Sequence, residues 1–308
     1  MEYEKVDVAI QSYKKPESLI YTLLSLQKYS KTHIDCIYIN DDQSGAETLR
    51  YYTDPRFLQR MAPIQIKLRV NKKHFPPAEF IYTYSKEPLL PFSLRKAVRF
   101  MRKILSGMCT TTDDIRYQWA INQSNHSKLL IIHDDIEFHA DVVSYYVKQF
   151  KKDPNLIVVG PLGQCNRCSH AAEGCTPAQI MKGIFPSDIF PKTRPFVGSK
   201  KQYERACRIN EWCCMIDVPK ARKIAAHFGN YADGADVAAF WFGEIIKAGY
   251  AYLDPHPTPE EQSAYFLHCW QGHSGHSVWE DQGLGIKIYQ KDMIKQRIKD
   301  EFGYDLDN

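Results

Sequence analysis

No stretch of this sequence approaches the roughly 18 consecutive apolar residues that a membrane-spanning helix requires, so no transmembrane helix is expected. The opening residues, MEYEKVDVAIQSY, lack both a basic region and an apolar core, so no secretory signal is expected either. No internal repeats and no low-complexity segments appear. Excess charge of one sign is also missing: 40 Lys and Arg against 36 Asp and Glu leave a net charge of +4. That balance suits an anionic substrate or surface without demanding nucleic acid, and no nucleic-acid partner is expected. The nine cysteines are odd in number. With no export signal, free or metal-bound thiols in a cytoplasmic protein are expected in place of a disulfide framework.

What is present is an alternation of short apolar runs and amphipathic stretches over 308 residues, enough for a full core. Val6 to Tyr13 reads as a strand, and Pro16 opens a helix at a position proline tolerates, with Leu19, Ile20, Leu23, Leu24 and Leu26 as its buried stripe. Asp35 to Asn40 is a second strand ended by Asp41 and Asp42, so the first forty residues form a βαβ unit. Ile64 to Val70 alternates as a third strand. Residues from about 72 to 112 read as an insertion carrying a basic amphipathic helix, 93–108, which either packs on the domain or lies peripherally on an anionic membrane surface.

A helix over 113–125 leads into KLLIIHDDIEF, Lys128 to Phe138, where the apolar run of a buried strand, Leu129 to His133, ends in Asp134 and Asp135. Carboxyl ends of strands are where open α/β sheets bind ligands, and adjacent carboxylates call for a cation, a shared proton or solvent. Further strands are expected at 156–159, 209–217 and 251–253, and helices at 142–150 (Asp141 as N-cap), 236–248 and about 287–302. Between 160 and 207 the pattern loosens into a Cys-rich loop. Cys165, Cys168 and Cys175 have the chemistry of a thiolate zinc site, with Cys207, Cys213, Cys214 or His170 as fourth ligand; a loop of free thiols is the other reading.

AIQSYKKPESL, INDDQS, IRYQWAINQ, IIHDDIEF and DVAAFW, in that order over residues 5–255, resemble the family 2 glycosyltransferases. The resemblance implies the GT-A fold: α/β, a Rossmann-like mixed sheet flanked by helices, here as residues 1–255, with the inserted basic helix and a C-terminal extension, 256–308, holding a His-rich loop and a helix. It implies transfer of a sugar from a UDP- or dTDP-type donor to a hydroxyl of a glycan, lipid-linked or protein acceptor, with inversion and with Mn²⁺ or Mg²⁺. The expected localisation is cytoplasmic, either free or peripheral on the cytoplasmic membrane face through the basic helix 93–108.

Residue by residue, the resemblance makes Asp135 the first metal ligand and sets Asp134 on the ribose or the ion. Asp42 becomes the carboxylate that accepts from the base, with Tyr13 stacked on the base and Gln11 beside it, and Arg116 lies near base and phosphates. Asp236 is the catalytic base, with Asp233 as runner-up, and Glu211 and Trp212 line the acceptor side. His273 and His276 are preferred over His268 as a late imidazole ligand. The family pattern is Asp-x-Asp, and His133 stands where its first Asp would be; His133 is expected beside the ribose or sugar. A sugar-phosphate nucleotidyltransferase, the nearest rival enzyme, carries a glycine-rich loop after its first strand, where this chain reads QSYKKPES. A non-catalytic binding or zinc-stapled interaction protein is the rival from outside enzymes.

Overall fold

The computed structural model describes residues 4–71, 117–163, 208–209, 211–224, 241, 245, 248–256, 259–269 and 291–307. The basic helix 93–108, the residues Arg116, Asp233, Asp236, His170, His273 and His276, and the cysteines Cys165, Cys168, Cys175 and Cys207 lie outside the described residues.

Seven strands form one mixed sheet in the order β10-β6-β9-β4-β1-β2-β3. They are β1 (Val6–Ser12), β2 (Ile34–Asp41), β3 (Gln65–Val70), β4 (Lys128–Ile132), β6 (Leu156–Val159), β9 (Cys213–Asp217) and β10 (Ala251–Leu253). β1, β2, β3 and β4 run parallel, and β9 is antiparallel to both β4 and β6. The α/β mixed sheet expected from the sequence is therefore the architecture found. The apolar runs are buried on both faces because helices cover both: Val6, Val8 and Ile10 and Leu129 to Ile132 are all at most 1% exposed. Two-residue strands β7 (Leu162–Gly163) and β8 (Arg208–Ile209) pair separately, so the strand expected over 209–217 is two shorter pieces.

α1 (Pro16–Ser30) lies against one face, with its leucines in the main core. It is buried on its polar side too, since Ser18, Thr22 and Ser25 are at most 2% exposed. The chain leaving the sheet after β4 runs along that side as β5 (Ile136–Phe138), whose backbone is tied to the helix: Ile136 N–H donates to Thr22 Oγ1 at 3.1 Å and Phe138 N–H to Ser25 Oγ at 3.2 Å. Two short helices that the sequence pattern did not signal, α2 (Ala46–Tyr52) and α3 (Pro55–Met61), connect β2 to β3. α4 (Tyr117–Gln123) packs on β1 and β2 from the opposite face, its Trp119 edge-on to Tyr38 at 5.3 Å. α5 (Val142–Lys152) begins at the expected cap: Asp141 accepts from Ser144 N–H at 3.1 Å and from Ser30 Oγ at 2.7 Å.

The short helix α6 (Val218–Ala221) follows β9, and α7 (Pro259–Ser263) leads into β11 (Phe266–His268), which pairs antiparallel with β5. Finally α8 (Lys291–Phe302) docks on α1. Its Ile294 and Ile298 enter the core, and Arg297 forks onto Glu137 at 2.8 and 3.1 Å. Among the described residues no helix is long and apolar enough to cross a membrane.

Candidate functional site

β1 and β2 end level, Ser12 in register with Asp41, and β4 stops two residues earlier, Ile132 in register with Ile10. The residues just beyond these ends are the sequence's acidic ones. β4 stops at Ile132, one residue short of expectation, and His133 opens the turn with its N–H donating to Trp212 O at 2.9 Å. The turn is then fixed from beneath by α1, whose Ser18 hydroxyl donates to the carbonyl of Asp134 at 2.5 Å.

The adjacent carboxylates have separate surroundings. Asp134 accepts from Ser12 Oγ at 2.8 Å and forms an ion pair with Lys15 Nζ at 2.7 Å. Burial pushes its carboxyl up, and Lys15 only partly offsets this. Neither Ser12 nor Lys15 was singled out in the sequence; a lysine directly before the helix-opening Pro16 was the available signal. Asp135 faces the other way in chemistry. Burial acts to raise its carboxyl too, but the imidazole of His268, then Lys15 and His133, outweigh burial and hold it far below the usual carboxylate range.

His268 Nε2 lies 2.9 Å from Asp135 Oδ1, and His133 Nδ1 lies 3.9 Å from the same oxygen. Ligand-capable atoms of His133, Asp135 and His268 all fall within 4.8 Å of one another. Asp134 does not belong to this group. β11 brings His268 there through its pairing with β5, His268 opposite Ile136, and Cys269 N–H donates to Asp135 O at 2.7 Å. The late imidazole beside Asp135 is thus His268, ranked below His273 and His276 in the sequence. The imidazole expected beside the sugar, His133, shares the same cluster.

Glu211 and Trp212 flank the cluster. Glu211 Oε1 is 4.0 Å from His133 Nε2, and the Trp212 ring lies 4.5 Å from that of His268. On the β2 side, Asp42 is buried, donates its N–H to Ser12 O at 2.9 Å and accepts from Asn71 Nδ2 at 2.9 Å. Asp41 instead closes its own turn, accepting from Ser44 N–H at 2.8 Å and Ser44 Oγ at 2.5 Å. Tyr13 is half-buried under Lys14 Nζ, 5.2 Å from the ring centre, and Gln11 Oε1 is buried without a hydrogen-bond partner among the described residues.

Two imidazoles and one carboxylate are a donor set that fits a divalent transition ion. Mg²⁺, which prefers all-oxygen shells, fits it less well. Cys213 and Cys214, named as optional zinc ligands, lie buried in β9, and neither belongs to a ligand cluster among the described residues. All four described cysteines, Cys36, Cys213, Cys214 and Cys269, are free thiols.

No family model matches the sequence, and no curated protein matches it. Among solved structures, the chain is similar to the mannosyltransferase PcManGT from Pyrobaculum calidifontis, solved in complex with GDP-Man and Mn²⁺. The likeness has 9% identity and a TM-score of 0.48, over 83% of this chain and 55% of that one. This chain spans little more than half the length of that protein.

Proposed function

We propose that this protein is a nucleotide-sugar-dependent glycosyltransferase that transfers a sugar to a hydroxyl acceptor in glycan or glycoconjugate synthesis. The observation that carries the reading is the convergence of His133, Asp135 and His268 beyond the carboxyl ends of β4 and β1, where sheets of this class receive ligands. These three side chains would hold the divalent cation, Mn²⁺ in preference to Mg²⁺. When bound there, such an ion draws off the negative charge that grows on a departing diphosphate.

The chain's own residues supply the rest. Lys15 and Ser12 fix Asp134 beside the cluster and fasten the turn to β1. Asp42, held by Asn71, offers a carboxylate oxygen to the imide N–H of a uracil or thymine, and Tyr13 offers a face for the base. Arg116 would grip the diphosphate through its planar guanidinium. Glu211 and Trp212 line the acceptor side. Asp236, or Asp233 in its place, would take the proton from the attacking hydroxyl, giving inversion at the anomeric carbon. The basic helix 93–108 would bring the enzyme to an anionic membrane surface where a lipid-linked acceptor resides.

The test is hydrolysis and transfer with UDP-, dTDP- and GDP-sugars in Mn²⁺, comparing the native protein with Asp135→Ala and Asp236→Asn. Each substitution is expected to lower turnover by about 10²-fold or more. Native rates in both variants would reject the assignment. No turnover in the native protein with any donor and acceptor would point to a binding module.

A further inference from the structure

A second cluster of metal-ligating side chains sits at the opposite ends of the same strands. Asp7 opens β1, Asp35 lies at the start of β2, and His126 stands just before β4. Ser12 lies five positions after Asp7 along β1, roughly 16 Å at the rise of a strand. Ligand-capable atoms of Asp7, Asp35 and His126 fall within 4.8 Å of one another. His126 Nε2 is 3.2 Å from Asp35 Oδ2 and 3.8 Å from Asp7 Oδ1.

Three features show that the cluster is built toward something. Asp7 is 1% exposed and its Oδ1, the oxygen facing His126, is buried with no hydrogen-bond partner among the described residues. Leaving a buried carboxylate oxygen bare is costly, and burial pushes this carboxyl up. Its other oxygen is oriented by Ser124 Oγ, which donates at 2.7 Å, the arrangement outer-shell groups give to a ligating carboxylate. Asp35 is the extra residue of an irregularity in the β1–β2 register: Val6 pairs with Ile34 but Asp7 pairs with Cys36. Such a bulge re-aims a side chain, here onto the exposed edge of the cluster.

From this juxtaposition we infer a second divalent-cation site, of the zinc class, with Asp7, Asp35 and His126 as ligands and water completing the shell. A tetrahedral zinc with bonds of about 2.0–2.2 Å has ligand atoms about 3.4 Å apart, close to the 3.2 and 3.8 Å found. One imidazole with two carboxylates is a donor set zinc accepts. Asp35 and His126 remain partly exposed, at 49% and 28% of their side chains, so an ion can enter from solvent. Lys67, on β3, is the cation that bears on Asp7 from the neighbouring strands; its ammonium is engaged with Tyr38 Oη at 3.3 Å. The site would clasp β1, β2 and the entry to β4 at the end of the sheet away from the proposed donor pocket. It stands whether or not the transferase reading does.

The experiment is a Zn²⁺ titration of the full chain labelled with ¹⁵N-histidine, the His126 signal being assigned by its loss in His126→Ala. It is repeated in the His133→Ala/His268→Ala double variant, which removes the other cluster. The expected result is a saturable displacement of the His126 resonance that persists in the double variant. The midpoint should rise about 10- to 100-fold in Ser124→Ala and at least as much in Asp35→Asn. A His126 signal unmoved by Zn²⁺, or one that moves with the same midpoint in Asp35→Asn, would reduce the cluster to an ordinary ion-paired histidine and overturn the site. Displacement that disappears in the double variant would overturn it equally.

Discussion

His256 packs among the rings of Tyr145, Tyr146, Tyr265 and Phe266, at 5.1 to 5.7 Å, with both ring nitrogens buried and without hydrogen-bond partners among the described residues. Burial alone pushes its imidazole down to about 4. An unfolded histidine takes up its proton near pH 6.5, so between those values the unfolded chain binds a proton that the folded one refuses. Stability should therefore be full above pH ~6.5 and fall by about 3 kcal/mol as pH drops towards ~4. Denaturant melts across that window should show the slope in the native protein and lose this part of it in His256→Phe; an unchanged slope would assign the acid sensitivity elsewhere. At Lys15 the issue is charge. Lys15→Met leaves the buried carboxylate of Asp134 with the Ser12 hydroxyl as its side-chain partner among the described residues, and should cost about 3–5 kcal/mol in the same melts. A loss below 1 kcal/mol would mean that Asp134 is neutral in the folded protein.

α1 shows how an element serves two masters. Its leucines were readable as a stripe, and they do enter the core. Its hydroxyls Ser18, Thr22 and Ser25 were not read as signals, although their i, i+4, i+7 spacing places them on one side of the helix. That row holds the chain from Asp134 to Phe138, and thereby aims the carboxylates. Thr22→Val keeps the shape but strands the buried N–H of Ile136, so a stability loss of about 1–3 kcal/mol is expected. Faster amide exchange at Ile136 should accompany it; unaltered exchange would show that the hydroxyl is dispensable. β5 and β11 escaped the sequence reading for a related reason. Each is three residues long and follows a turn, and what defines the two is their mutual pairing across more than a hundred residues.

At the scale of the whole molecule, the sheet was legible where strands are apolar runs, as in β4 and β6, because burial on both faces leaves few polar positions to confuse; β1 and β2 were legible from their apolar centres, Val8 to Ile10 and Cys36 to Ile39. Proline- and Asp-capped starts also came through, at α1 and α5. α2 and α3 did not: each is seven residues long, too short for a helical period to stand out. In the site, Asp42, Asp134, Asp135, Glu211 and Trp212 could be drawn from strand ends and from family resemblance. That His268 faces Asp135 could not, since the partners lie 133 residues apart and meet only through a strand pair that sequence does not announce. The substitution of His133 for an expected aspartate reads differently once His268 is beside it: two imidazoles and a carboxylate make a coherent ligand set.

Pulsed electron paramagnetic resonance of the Mn²⁺-loaded protein tests the ligand set of His133, Asp135 and His268 directly. Nitrogen couplings from two imidazoles are predicted, falling to one in either His133→Ala or His268→Ala, with phosphorus couplings appearing on addition of a nucleoside diphosphate. Mn²⁺ bound with no imidazole nitrogen, or with nitrogen couplings untouched by both substitutions, would contradict the account.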